Sequence, residues 1–270
     1  MSEFLLKFNL SAFHELDRFA LLARQDYNYG CVDDWFGSFR GGLYGSYARI
    51  HGVVTHYYNV HTWVSTPRSP AETEYHLAST FFNMDSAIEC VTFALNALGC
   101  CAASTSFRDV SVSAAIRKIS PYDILGRVDA NPPIPALGGY SMLFPSVQNY
   151  WRNNAKLLST IFEQHDVSKH RGAIYVGGMA RMDPPPGFYE SLGIKDDASQ
   201  RAQFWPMKEI ILKHEPKTPL AKRISQPLEN HEMFEILVPQ FKDFISETGL
   251  LALRDARQNI KLQVNKFRND

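Results

Sequence analysis

The sequence predicts a mainly α-helical protein, a helical bundle with minor β or irregular structure in its N-terminal and connecting segments. Three stretches with helical periodicity support this: one over residues 77–98, one after Pro145 and one over residues 228–262. A chain of 270 residues with 45% hydrophobic content can bury one core. We therefore expect a helical bundle over residues 69–270, covered by an irregular, aromatic-rich N-terminal region over residues 1–68.

The composition excludes several classes of protein. Lys plus Arg and Asp plus Glu both total 28, so the chain as a whole has no net attraction for nucleic acid. The four cysteines lack the spacing of a zinc site and are expected to be reduced thiols. Residues 1–10 do not resemble a signal peptide, and no apolar run reaches the roughly 18 residues of a membrane span. We expect a cytoplasmic protein that does not enter a membrane.

The clearest helix is predicted over residues 70–98. Its apolar residues alternate in spacing between four and three, as one buried face of a helix requires: Leu77, Phe81, Met84, Ile88, Val91, Leu95 and Leu98. Ser69-Pro70 offers a start and Gly99 a stop. A helix of about 25 residues is typical of a bundle or of a dimer interface.

A polar line follows the same helix, one residue after the apolar face and turned from it by about 100°. It consists of Asp85, Glu89, Thr92 and Asn96. Two interpretations stay open. The line is either a solvated flank of the helix, or an acidic and amide-bearing wall that faces a cleft and supports a site there.

The second helix is predicted to begin after Pro145, with Ser146 as N-cap, and its apolar face leads to His165. Gly172 is the predicted terminator. The third helix should span residues 228–262, with a kink at Pro239 and a break at Gly249.

The other segments lack a clear period. Residues 31–64 are rich in glycine and aromatic residues, and their histidines, His51, His56 and His61, recur every five residues, which fits neither a helix nor a strand. Scattered polar or packing roles are therefore favoured over a metal site. Residues 107–140 indicate a connecting loop that could include one strand, residues 182–187 a stiff extended loop, and residues 206–214 a short strand.

Ionisable residues are concentrated between His165 and Arg171, at the end of the second helix. In a helix, Asp166 lies one turn before His170 and can fix the tautomer of its imidazole, which suits His170 to general acid or base chemistry. Lys169 and Arg171 could bind a phosphate. These groups suffice for cleaving RNA without a metal. A structural role is equally open, because cations at 169–171 complement the dipole at a helix C-terminus.

This stretch resembles the motif of the HEPN superfamily, which consists of an arginine, a polar residue and, after four to six intervening residues, a histidine. His170 corresponds to the motif histidine and Asp166 to its polar residue, whereas His165 stands in place of the arginine. The resemblance implies a helical bundle that dimerises. It also implies either a metal-independent endoribonuclease or a relative that binds nucleotide, RNA or a partner without cleaving.

The sequence thus predicts a non-catalytic or degenerate HEPN-like domain that forms a homodimer and binds a nucleotide, RNA or a partner protein. The alternative is a metal-independent endoribonuclease that uses His170 and His165 with Asp166, binds phosphate through Lys169 and Arg171, and is supported by Asp85, Glu89 and Asn96. No glycine-rich phosphate loop, dinucleotide fingerprint, HExxH or GxSxG motif is present. We therefore expect no cofactor and no metal.

Overall fold

A computed structural model describes residues 6–26, 35–62, 70–127, 130–170 and 230–262. These residues are mainly α-helical, as predicted, and their β structure is one isolated bridge between Arg127 and Ile134. The helices are α1 (Ser11–Asp26), α2 (Trp35–Thr62), α3 (Pro70–Ala102), α4 (Ser113–Ile116), α5 (Tyr122–Leu125), α6 (Gly138–Leu143), α7 (Pro145–Asn153), α8 (Ala155–His170) and α9 (Asn230–Asn259), with a 3-10 turn at Ser104–Ser106.

The apolar face of α3 is confirmed, because all seven residues of the predicted stripe are buried. The predicted stop at Gly99 is wrong, since α3 continues to Ala102. Gly99 instead permits a close contact: a Cβ there would lie 2.3 Å from Cζ of Phe107. The glycine therefore leaves room for an aromatic ring and does not end the helix.

The N-terminal region is helical where it is described, so the prediction of an irregular segment is wrong for α1 and α2. Its glycines serve close helix packing. A Cβ on Gly42 would lie 2.8 Å from the carbonyl oxygen of Cys90, and one on Gly52 would lie 2.5 Å from Oδ1 of Asn83. Glycine lowers helix propensity by about 1 kcal/mol, but tertiary packing overrides that preference here.

The second predicted helix is two helices. The chain turns at Asn154, where the backbone N–H donates to the carbonyl oxygens of Tyr150 and Trp151, and α8 follows. Ser146 is not the N-cap of α7, because Phe144 occupies that position and makes no side-chain cap. The Asp255 carboxylate caps the helix instead, its Oδ2 accepting from Ser146 N at 2.8 Å and Val147 N at 3.1 Å.

The last helix, α9, runs through both of its predicted interruptions. The break at Gly249 is wrong, because this buried glycine lies within the helix and leaves space for Phe13, whose Cε2 would be 2.9 Å from a Cβ at that position. Helical structure also continues across Pro239, and a kink there stays a prediction. The loop predicted at 182–187 and the strand predicted at 206–214 lie outside the described residues.

The chain divides into two compact units, which differ from the predicted division at residue 68. Unit 1 comprises Met1–Thr55, Phe82–Ser159 and Pro239–Asp270, and unit 2 comprises His56–Phe81 and Thr160–Val238. In unit 1, Trp151 is fully buried against Phe244, and its indole N–H donates to Thr248 Oγ1 at 3.1 Å. In unit 2, Tyr57 stacks on Phe234. Among the described helices, none has the length and apolar character needed to cross a membrane.

Candidate functional site

An open groove lies in unit 1, in the connection between α3 and α6. Its volume is about 430 Å³. Its lining residues include apolar side chains, the polar residues Thr105 and Ser106, and two cations. The residues that matter for its chemistry are Thr105, Ser106, Arg108, Val112, Lys118 and Leu137.

Arg108 is held in the groove by a carboxylate. Its Nε donates to Asp123 Oδ2 at 2.7 Å and its Nη2 to Asp123 Oδ1 at 2.6 Å, which is the paired geometry that a guanidinium favours. The Asp123 side chain is only 6% exposed and that of Arg108 is 30% exposed. The hydrogen bonds to Asp123 raise the pKa of Arg108. Arg108 is thus a fixed cation at the edge of the groove.

Asn96 fixes the backbone that carries Arg108. Its side-chain amide donates to the Arg108 carbonyl oxygen at 2.8 Å, and its Oδ1 accepts the Arg108 N–H at 3.0 Å. Asn96 is fully buried, so these bonds satisfy an amide that would otherwise lose its contacts with water. One member of the predicted polar line therefore supports the candidate site, although from within the core.

The remainder of the polar line is divided. Thr92 is fully buried and donates to the carbonyl oxygen of Ile88, whereas Glu89 is exposed and Asp85 is half-buried. Asp85 and Glu89 belong to unit 1, and the histidine stretch 165–170 belongs to unit 2. A shared site of these carboxylates with His170 stays a prediction.

The histidine stretch forms the last turns of α8. His165 is half-buried, Asp166 and Lys169 are exposed, and the Ser168 hydroxyl donates to the carbonyl oxygen of His165 at 2.8 Å. The helix continues to His170, so Asp166 and His170 stand one turn apart, as the sequence predicted. Arg171 lies outside the described residues, and the roles predicted for this stretch stay predictions.

Two other histidines meet in unit 2. His56 of α2 and His76 of α3 place their Nδ1 atoms 2.9 Å apart. Burial lowers the pKa of His56, and the nearby charge of His76 lowers it further. The described residues contain no group of three or more His, Cys, Asp or Glu side chains that could hold a metal ion.

Sequence reasoning missed Arg108, Lys118 and Asp123, because residues 107–140 were interpreted as a connecting loop. Arg108 and Asp123 are 15 residues apart, and that separation corresponds to no helical or strand spacing. It also missed the His56–His76 contact, which joins residues 20 apart on two helices. His56 had only been noted as one of three evenly spaced histidines.

The fold and the groove define a mainly α-helical protein with a candidate site for a small ligand. Comparison with protein-family models, with curated proteins and with solved structures finds no match. Membership of the HEPN superfamily therefore stays a proposal.

Proposed function

We propose that this chain is a non-catalytic helical-bundle protein that binds a small anionic ligand, of the size of a nucleotide, in the groove of Arg108 and Lys118. The observation that carries the proposal is the joint presence of a fixed guanidinium, a lysine and an apolar wall around one open space. A volume of about 430 Å³ falls in the range of small-molecule sites.

Arg108 suits anion binding because its orientation is already determined. Asp123 accepts from Nε and Nη2, so this pair leaves the N–H groups of Nη1 for a ligand. A side chain held in place loses little conformational entropy when a ligand arrives. Lys118 is exposed and adds a mobile second cation, while Val112 and Leu137 offer apolar contact to a base or another organic group.

The charge of the groove favours a small anion over a polyanion. Two cations and the Asp123 carboxylate leave one net positive charge at this place. Tight binding of RNA through its backbone requires neutralisation of several phosphates, and the chain as a whole has no excess of positive charge. The single net positive charge of the groove therefore suits a ligand with one phosphate or carboxylate group best.

The absence of acid–base groups around the groove supports a binding function. Among the described residues that line it there is no His, Cys, Asp or Glu. General acid–base catalysis near neutral pH relies mostly on these side chains. The groove can therefore hold a ligand, but its own walls supply no proton-transferring group of this kind.

Calorimetric titration with adenosine 5′-monophosphate, and with adenosine as its uncharged counterpart, tests the proposal. We expect the monophosphate to bind and the nucleoside to bind more weakly. A charge-assisted hydrogen bond contributes about 1.5–3 kcal/mol, so Lys118→Ala should weaken binding of the monophosphate by roughly tenfold or more.

Arg117→Ala is the matched control, because Arg117 is an equally exposed cation next in the chain that does not line the groove. It removes the same charge and should leave affinity nearly unchanged. If both variants lost the same amount of affinity, the anion would be attracted only by the overall positive potential of this surface and not by a specific contact with Lys118. No binding of nucleoside mono-, di- or triphosphates at millimolar concentration would refute the proposal.

The HEPN-like assignment, the cytoplasmic location and the homodimer are further parts of this proposal. The HEPN-like assignment and the homodimer rest on the helical pattern and on residues 165–171, and the cytoplasmic location rests on the four cysteines, which are expected to be reduced thiols. Light scattering of the purified chain tests the homodimer directly, since a dimer has twice the mass of 30.7 kDa that one chain has.

The alternative function is metal-independent cleavage of RNA by His170 with Asp166 and a nearby cation. It is favoured by the continuation of α8 to His170, which keeps the two residues one turn apart. Incubation of wild type and His170→Ala with a mixed RNA pool and a metal chelator separates the two functions. Cleavage that is lost in the variant would establish the ribonuclease and refute a purely binding protein.

A further inference from the structure

His56 and His76 form a close pair of imidazoles in unit 2. Besides the 2.9 Å contact of their Nδ1 atoms, the ring centroids lie 5.2 Å apart with an interplanar angle of 43°. Both side chains are half-buried. The contact is a hydrogen bond in which one Nδ1 donates its proton to the other, and each nitrogen can act as a metal ligand once that proton has left.

The aromatic ring of Tyr75 restrains both histidines. It meets the His56 ring at 5.6 Å and the His76 ring at 5.2 Å, in edge-on arrangements with angles of 81° and 61°. Such contacts limit the rotation of the imidazoles about their own axes. The two Nδ1 atoms are therefore held close together by their packing and face each other across a hydrogen bond.

The spacing of the two nitrogens is close to that of ligands on one metal ion. Two imidazole nitrogens at about 2.05 Å from a tetrahedral Zn²⁺ lie roughly 3.3 Å from each other. To bind one ion, the pair at 2.9 Å would lose its shared proton and open by a few tenths of an ångström, and each ring would turn by roughly 35° so that its lone pair points at the metal. Neutral imidazole suits Zn²⁺, Cu²⁺ and Ni²⁺ and does not suit Mg²⁺ or Ca²⁺.

We propose that His56 and His76 together bind one divalent transition-metal ion through their Nδ1 atoms. The described residues include no third His, Cys, Asp or Glu side chain that completes a cluster with this pair, so they supply two ligands to the ion. This site is independent of the groove of Arg108 and Lys118.

Titration of the full chain, stripped with a chelator, against ZnCl₂ tests the site by the number of ions bound. His56→Ala and His76→Ala should each lower the number of Zn²⁺ ions bound per chain by one. The double variant should lose no more than one ion, because both residues serve the same site. Counting ions keeps the test valid even if other histidines of the chain also bind Zn²⁺.

His51→Ala is the matched control, since His51 is an exposed histidine of the same helix five residues earlier. It should bind as many ions as wild type. The proposal is overturned if the His56 or His76 variant keeps the full number of ions, or if the double variant loses two ions. His56→Gln and His76→Gln keep a polar side chain of similar size, and circular dichroism without metal shows whether each variant is folded.

Discussion

The cap on α7 gives the sharpest test of the structure, because sequence and structure assign it to different residues. The sequence predicts Ser146, whereas the structure shows Asp255, which is 109 residues away and 1% exposed. We therefore expect Asp255→Ala to destabilise the protein and Ser146→Ala to leave its stability nearly unchanged. A substitution of a genuine serine N-cap would cost about 1 kcal/mol.

The magnitude follows from the contacts of the carboxylate. Its Oδ2 accepts two backbone N–H groups, and a hydrogen bond to a charged group contributes about 1.5–3 kcal/mol, so the gross loss is roughly 3–6 kcal/mol. Its Oδ1 is buried and has no hydrogen-bond partner in the part of the chain that the structure describes, and removing it recovers about 1–3 kcal/mol of desolvation cost. With the middle value of each range, the net loss for Asp255→Ala is about 2.5 kcal/mol.

Thermal unfolding followed by far-ultraviolet circular dichroism measures the effect. At about 2–4 °C per kcal/mol for a chain of this size class, Asp255→Ala should lower Tm by roughly 5–10 °C. Asp255→Asn keeps an acceptor oxygen for the two N–H groups and should recover much of that loss. The assignment of the cap is refuted if Asp255→Ala melts within about 2 °C of wild type, or if Ser146→Ala lowers Tm as much as Asp255→Ala does.

Two further predictions concern packing in unit 1. Gly99→Ala places a methyl group against the Phe107 ring and should lower the free energy of unfolding by about 1–3 kcal/mol. Gly41→Ala is the control, because no atom lies within 4 Å of the new Cβ, and it should be neutral or stabilising. Urea unfolding of both variants measures the difference. Thr248→Val removes the acceptor of the buried Trp151 indole N–H and should lower the free energy of unfolding by about 1–3 kcal/mol, whereas Thr248→Ser keeps the hydroxyl. Equal stability of the valine and serine variants would contradict the importance of that bond.

Helices with a regular apolar face were predictable from the sequence. The stripe of α3 was identified residue by residue, because a face that packs against a core needs apolar side chains at the helical period, and this period is visible in the chain itself. Glycine misled the prediction at three places. In α2, at Gly99 and at Gly249 the sequence was interpreted by the local preference of glycine, whereas the structure uses its small size against a neighbour.

The groove of Arg108 and Lys118 was not predicted from the sequence. Asn96 was predicted to support the histidine stretch, and that role stays a prediction, whereas the structure shows it holding the Arg108 backbone. Arg108 and Lys118 were not found, since they lie in a segment of short helices and turns that has no period. The histidine stretch of α8 was found by its density of ionisable residues, and its function stays a prediction.

By itself, the sequence determined that this protein is mainly α-helical and which face of α3 is buried, because both depend on local periodicity. The tertiary structure alone decided that Asp255 caps α7, that Asp123 holds Arg108 and that His56 meets His76. Each of these contacts joins polar side chains or backbone groups far apart in the chain. Buried polar groups need hydrogen-bond partners, but the sequence does not show which residue will be the partner. Only the packing of the helices selects it.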